Sequence, residues 1–452
     1  YEAVDEVGHG GMATVYRGID RTLGRAVAIK VLHRHLCQRT EARERFGREA
    51  RIIAKLRHPN IVEVYDFSGE DQANAFIVTE FIDGQSLADF LQQHGPVMPE
   101  IAALLVSSIG DALQHAHERG VIHRDVKPEN IMVRQDGVLK LMDFGIAHVV
   151  DMEQLTLTGA IVGSPAHMSP EQVDGKALDA RTDIFSLGTL FYLLASNTFP
   201  FRGDTPSTVL KAIVDARPPD IRTLSPGFPD DLHGILLKMM ARDPDQRYLS
   251  ARQVVDALQD ITKSVGLEPW AVELPRYFKD PVPYVAAAKI RIAEGRFAEA
   301  RAHLKKGRFV LAIRALDGVL MLVPDHAEAL KGMERARRAL RRRTISRTAA
   351  ILAAVVVTGV ALGTAAVSLL PSLFESPPQD EALPETPAVP SSPLIVPRSP
   401  AVETLLQPRR AAVLNVPTHA RAFTRILPNG IVSSNKGAQI SVTVQAFPPA
   451  VQ

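Results

Sequence analysis

Apolar and polar residues alternate along the first eighty positions in short runs broken by glycine, the period-two pattern of half-buried strands. Residues 4–7, 13–19 and 25–32 are three such runs, separated by glycine-bearing turns. The period then lengthens: within 41–56, Phe46, Glu49, Ile53 and Leu56 share one helical face. Glu49 is out of place on that apolar stripe unless it meets an inward-pointing cation. Residues 61–65 and 76–81 predict two more strands, and from Ser86 to about residue 262 the pattern is mainly helical.

Residues 263–282 read as a linker and 283–342 as an alanine-rich helical segment. Gly295-Arg296-Phe297 and Gly307-Arg308-Phe309 repeat a turn cue there. The stretch 307–330, with Ala312, Ala315, Pro324 and Ala329, resembles one tetratricopeptide-type helix pair; a single pair buries little core, so a helical spacer is an equal reading. Residues 349–370 then carry no charge and no polar stripe. As a helix they are roughly 33 Å long at about 1.5 Å per residue. That matches a hydrocarbon core of about 30 Å, so one transmembrane helix is expected. Residues 371–410 are a Pro-rich, extended or disordered linker. The tail, 411–452, alternates enough over 431–446 for a strand or two.

Composition changes this picture in three places. A hydrophobic share of 46% against 23% charged residues suits a sizeable core, and 452 residues suit two or three units. The net charge of only +2 conceals seven arginines between Arg335 and Arg347, directly before the apolar run. One block is not a patterned basic surface, so nucleic-acid binding is excluded as a function class. By the bias of positive charge, the block puts its own side of the span in the cytoplasm and residues 371–452 outside it. The single cysteine, Cys37, forbids an intrachain disulfide and agrees with a reducing compartment. No signal peptide opens the chain, and Tyr1 begins within a strand-like run, as expected if the natural start lies upstream.

The chemistry begins at Gly8-His9-Gly10-Gly11-Met12-Ala13-Thr14-Val15, between two strand-like runs. Glycines there let backbone amides approach phosphates without interference from Cβ. Such a loop is a weak signal alone, but Val27-Ala28-Ile29-Lys30 follows it, and Lys30 is the cation that Glu49 needs. Downstream come His123-Arg124-Asp125-Val126-Lys127-Pro128-Glu129-Asn130, Asp143-Phe144-Gly145 and Ser169-Pro170-Glu171. Asp183-Ile184-Phe185-Ser186-Leu187-Gly188 and Arg247 complete the set. Over 1–262 the sequence resembles the bacterial eukaryotic-like (Hanks-type) transmembrane Ser/Thr protein kinases.

That resemblance implies an α+β, bilobal protein kinase fold with a β-rich first lobe and a helical second lobe. It also implies transfer of the γ-phosphoryl group of ATP to Ser/Thr hydroxyls of protein substrates, with Mg2+, or Mn2+ in its place. Asp125 orients the substrate hydroxyl and accepts its proton. Lys127 contacts the transferred phosphate and marks a Ser/Thr enzyme. Asn130 and Asp143 hold the metal ions. Val7 joins the phosphate loop from Gly8 to Val15, Ala28 roofs the adenine, and backbone groups of Glu80 and Ile82 pair with its edge. Thr79 guards the space behind. Arg124, beside the catalytic aspartate, calls for an anion, and phosphate on Thr156 or Thr158 supplies one. Glu171 pairs with Arg247, and Ser164 supports Lys127 and Asp125 in place of the usual threonine. Ala13 stands for a third glycine and His167 for an aromatic beside the substrate site.

The retained metal ligands disfavour a pseudokinase scaffold, and the long segment from Asp143 to Glu171 disfavours a small-molecule phosphotransferase. The order of segments resembles a single-pass sensor of the inner (plasma) membrane, with its kinase domain cytoplasmic. That order implies a homodimer and an unidentified extracytoplasmic ligand.

Overall fold

The computed structural model describes residues 1–10, 13–37, 46–47, 50–68, 75–144 and 165–369, and three short strands at 423–426, 432–434 and 439–440. Glu2–His9 (β1), Ala13–Asp20 (β2), Arg25–Leu32 (β3), Val64–Phe67 (β4) and Phe76–Glu80 (β5) form an antiparallel sheet in the order β1-β2-β3-β5-β4. Valine and isoleucine dominate its inner face, where Val27 and Val78 are wholly buried. Gly18 is required in β2, because a Cβ would fall 2.6 Å from Ile29 and from the Glu2 carbonyl. Residues 46–47 and 50–53 are helical as the periodicity predicts, with Phe46, Ile53 and Leu56 buried.

A short sheet of Gly84–Ser86 (β6), Ile131–Arg134 (β7) and Leu139–Leu141 (β8) opens the helical lobe. It is tied to the first lobe through Ile61, which expectation placed within a strand but which makes only an isolated bridge to Leu141. Helices Leu87–His94 (α1), Pro99–His117 (α2) and Ala180–Ser196 (α3) surround the main core. Residues 182–195 of α3 are buried without exception, so no polar stripe shows in that stretch. Its start is fixed by Asp179, whose side chain accepts from the Arg181 amide, and its end by left-handed Asn197. Helices Pro206–Asp215 (α4), Asp230–Met239 (α5) and Ala251–Ser264 (α6) complete the lobe.

The stretch 263–282 is not a linker. Trp270–Lys279 (α7) is helical, and Leu267, Leu274 and Tyr277 are buried in the same core as α2. Glu273, fully buried, accepts from Tyr284 Oη at 2.5 Å and from both Arg291 Nη atoms at 2.7 and 3.0 Å. That network joins α7 to Pro281–Lys305 (α8). The turn cue at Gly295 also misleads: α8 runs straight through it, and the glycine is there because a Cβ would meet the Val265 backbone at 2.6 Å. At Gly307 the cue holds, since its φ of 65° closes the turn before Phe309–Leu322 (α9). Ala300, Leu316, Ala329 and Met333 form a second small core among α8, α9 and the last helix, Ala327–Leu369 (α10).

Helix α10 carries the uncharged stretch, of which the described side chains are 354–362 and Thr364. Among the described residues, no helix is long and apolar enough to cross a membrane. Residues 369–452 are a separate unit, in which Phe423–Ile426, Val432–Ser434 and Gln439–Ile440 form an antiparallel three-stranded sheet.

Candidate active site

Asp183, in the first turn of α3, organises the catalytic loop from beneath. Its carboxylate, fully buried, accepts from the His123 amide at 2.8 Å, the Arg124 amide at 2.7 Å and His117 Nε2 at 2.7 Å. The helix N-terminus adds favourable field at that carboxylate. Arg124 is thereby held at φ 68°, a conformation that costs a non-glycine residue about 1–3 kcal/mol. Gln172 Nε2 grips the Arg124 carbonyl at 2.9 Å, so the strained peptide is clamped from both sides. His123 Nε2 donates to the Met142 carbonyl at 2.8 Å while Nδ1 accepts from the Asp125 amide at 3.2 Å, which fixes one neutral tautomer. Burial holds its imidazole below the usual histidine range, against the pull of Asp183.

Above this base, Asp125 Oδ2 accepts from Lys127 Nζ at 2.6 Å and from Asn130 Nδ2 at 2.8 Å. Desolvation pushes the Asp125 carboxyl up, but Lys127 and Asn130 outweigh it and hold the group below the ordinary carboxylate range. Asn130 Nδ2 also donates to the Asp125 carbonyl at 2.8 Å, which leaves Asn130 Oδ1 without a partner among the described residues. Asp143 is at φ 51°, two residues beyond β8, and accepts from Lys30 Nζ at 2.7 Å. The Asn130 carbonyl receives the Met142 amide at 2.8 Å, which brings the segment just before β7 beside the one just after β8 and so sets the two oxygen-bearing side chains near each other. Amide and carboxylate oxygens are the donor set a hard divalent cation prefers, and they fit Mg2+.

Lys30 and Asp143 line a cleft of ≈ 540 Å³ between the lobes, within the usual span of ligand sites. Ala28 enters it from β3 and Met132 from β7, two apolar walls from different lobes. Val7, Gly8 and Val15 line the loop side, and Thr79, Glu80 and Ile82 the strand that joins the lobes. The Glu80 amide is spent on the Glu63 carbonyl at 2.8 Å, so only its carbonyl is offered to a ligand. A flat heterocycle carrying phosphates fits this arrangement.

The sequence matches the family model described as protein kinase domain over residues 1–258. The chain belongs to the protein kinase family. It is 41% identical over 261 residues to the serine/threonine-protein kinase PknB of Mycobacterium leprae, covering 56% of this chain and 42% of that protein. A probable serine/threonine-protein kinase of Clostridium perfringens is 38% identical over 263 residues, covering 58% and 38%. With PknL of Mycobacterium tuberculosis the identity is 37% over 272 residues, covering 60% of this chain and 68% of that one. The chain therefore spans well under two thirds of the first two of these relatives. Among solved structures, the PknI kinase domain of M. tuberculosis aligns at 27% identity with a TM-score of 0.46, covering 57% of this chain and 94% of that one.

Within this kinase domain the helical lobe is pinned by Glu171 and Arg247, joined through two parallel bonds of 2.7 and 2.8 Å. Thr182 Oγ1 donates to Glu171 Oε1 at 3.0 Å, and the guanidinium lies 4.8 Å from the Phe185 ring centre. Desolvation raises the Glu171 carboxyl, but Arg247 dominates and keeps it below its ordinary range. Arg124 Nε is buried without a partner among the described residues.

Of the loop residues, His9 and Thr14 are placed beside each other, Thr14 Oγ1 lying 3.3 Å from His9 Nδ1. The Gly10 amide donates to the Ala13 carbonyl at 3.0 Å, closing the turn. Gly11, Met12, Glu49, Gly145, Thr156, Thr158 and Ser164 lie outside the described residues. Phe144, named with its motif, packs 4.5 Å from His123. Three residues were not anticipated. Met132 is one, although its place between buried Ile131 and Val133 turns it away from the core. His117 under Asp183 and Lys140, bonded to Glu80 Oε2 at 2.7 Å, depend on contacts between distant segments, for which the sequence carries no local signal.

Proposed function

We propose that the chain is an ATP-dependent protein Ser/Thr kinase. The single observation that carries this is the adjacency of two clusters, Asp125-Lys127-Asn130 and Lys30-Asp143, tied together where the Met142 amide bonds the Asn130 carbonyl. Asn130 and Asp143 would hold Mg2+, which when bound neutralises charge on the phosphoryl oxygens. Asp125, kept ionised, accepts a hydrogen bond from the attacking hydroxyl and takes its proton as that oxygen bonds to the γ-phosphorus and the bond to the β,γ-bridging oxygen breaks, releasing ADP. Lys127 presents its ammonium to the transferring group, and Lys30 steadies the phosphates behind it. Catalysis here is positioning and electrostatics rather than covalent chemistry. Labelled γ-phosphate should pass to the enzyme itself and to a generic protein with wild type and not with Asp125→Asn. Equal labelling by both would remove the assignment.

Activation, in this reading, follows autophosphorylation at Thr156 or Thr158. The unpartnered, buried Nε of Arg124 supports it, since a phosphate would supply the missing acceptor. Mass spectrometry of fully active enzyme should find at least one of the two threonines modified. Membrane tethering through 349–370 is supported by Val355, Val356, Val357, Val360 and Leu362, which are all 61–68% exposed in the uncharged last part of α10. Residues 371–452 would then lie outside the cytoplasm, facing an unidentified ligand, and two copies would meet through the membrane segment. Deleting 349–370 should move the protein from the membrane pellet to the supernatant; an unchanged distribution counts against the tether.

A further inference from the structure

The helical lobe holds a second cavity, of ≈ 700 Å³, that shares no residue with the nucleotide cleft. Its walls come from segments far apart in sequence: Asn60 before β4, Leu104 and Ser108 from α2, Leu139 from β8, Thr262 from α6, and Trp270 from α7. The last wall exists only because the chain beyond the kinase family match folds back onto the lobe as α7.

One polar group in this wall is unspent. Ser108 Oγ is buried without a hydrogen-bond partner, whereas its neighbour Ser107 bonds the Ala103 carbonyl at 2.8 Å in the ordinary helical manner. A buried hydroxyl left unpaired destabilises the fold, and an incoming group would relieve that cost. Two other polar side chains of the wall, those of Asp111 and Asn60, are engaged. Asp111 is bonded by His58 at 3.2 Å and by Arg252 at 2.8 Å, and Asn60 Nδ2 donates to the Leu139 carbonyl at 2.9 Å. Lys263 and Glu268, of opposite sign, are both exposed on the rim. No net charge therefore selects for an ion.

We propose that this cavity binds a compact apolar ligand carrying one uncharged hydrogen-bonding group, which meets Ser108 Oγ. The volume suits a molecule of drug size, and apolar walls with one polar anchor are the usual construction of such sites. An occupant bears on Leu139 and Asn60. The Asn60 carbonyl accepts from the Leu141 amide at 2.8 Å, and Asp143 follows two residues later, so the site abuts the strand that positions the catalytic machinery. The assignment stands on the cavity alone and does not depend on the kinase reading.

Trp270 is the only tryptophan in the chain, which makes its fluorescence a reporter of this cavity. Bromine quenches indole fluorescence on contact, so the full chain is titrated with 6-bromo-2-naphthol in one arm and 6-bromohexan-1-ol in the other. Saturable quenching is expected in at least one arm, and the arm that saturates tells an aromatic ligand from an alkyl one. Ser108→Ala should raise the midpoint about fivefold, the equivalent of one hydrogen bond. Ala271→Phe, at an exposed position on the rim, should abolish saturation while leaving the melting temperature unchanged. Quenching that rises linearly in both arms overturns the proposal. So does saturation that neither substitution alters.

Discussion

His167 shows how one buried side chain can set a pH dependence. It is 5% exposed, with Nδ1 3.1 Å from Thr189 Oγ1 and Nε2 without a partner among the described residues. Burial pushes its imidazole down to about 4, so the folded protein keeps it neutral where the unfolded chain would protonate it. The unfolded state then binds more protons below the ordinary histidine range, and stability falls as pH drops from about 6.5 towards 4. His123, also held low by burial, adds to the same slope. His167→Phe should flatten part of it, by up to about 3 kcal/mol at the acid end, as read by urea midpoints at pH 7 and pH 4.5. An unchanged slope would show that His167 does not carry it. At the cleft, Lys30→Met should lower kcat/KM about 10²- to 10³-fold with the melting temperature intact. Lys30, Asp125 and Asn130 could be singled out because they stand in short motifs that resemble those of the kinase family. The bond from Lys30 to Asp143, 113 positions away, carries no such local signal, and the expected partner Glu49 lies outside the described residues.

At the level of elements, α3 decides the geometry of the catalytic loop. Its first turn supplies Asp183, which two backbone amides and His117 all need. Asp183→Asn should therefore cost both stability and turnover, since an amide cannot accept on both oxygens; calorimetry and phosphate transfer together check it. The Glu171–Arg247 pair makes a second prediction. Breaking it with Arg247→Met leaves a buried carboxylate and should cost about 3–5 kcal/mol in a denaturant melt. The double change Glu171→Gln with Arg247→Met should recover part of that loss. Strands β1, β2, β3 and β5, helix α9 and the Gly307 turn follow local pattern, and so could be read. Gly295 could not, because the same residue that ends one helix lets another approach Val265. Gly295→Val should accordingly destabilise the chain by about 1–3 kcal/mol through forced separation of α8 from the α6 end.

On the scale of the whole molecule, the kinase domain does not end where the family match ends. Leu267, Leu274, Tyr277 and Tyr284 are buried in the main core, and Arg296 bonds Glu100 of α2 at 2.6 Å. A chain cut after residue 262 should expose that surface. It should melt lower and bind more of a hydrophobic dye than a chain cut after residue 342, and equal behaviour would mean that α7 and α8 are only appended. The family and the motifs of the candidate site were legible without coordinates. These rest on short motifs and local periodicity, whose physical content lies in neighbouring residues. Tertiary structure alone decided that the supposed linker is core, that Asp183 and Gln172 brace Arg124, and that α7 encloses a cavity against the β7–β8 hairpin. Each of these is a meeting of residues tens to more than a hundred positions apart, fixed by packing and hydrogen bonding that no local pattern encodes.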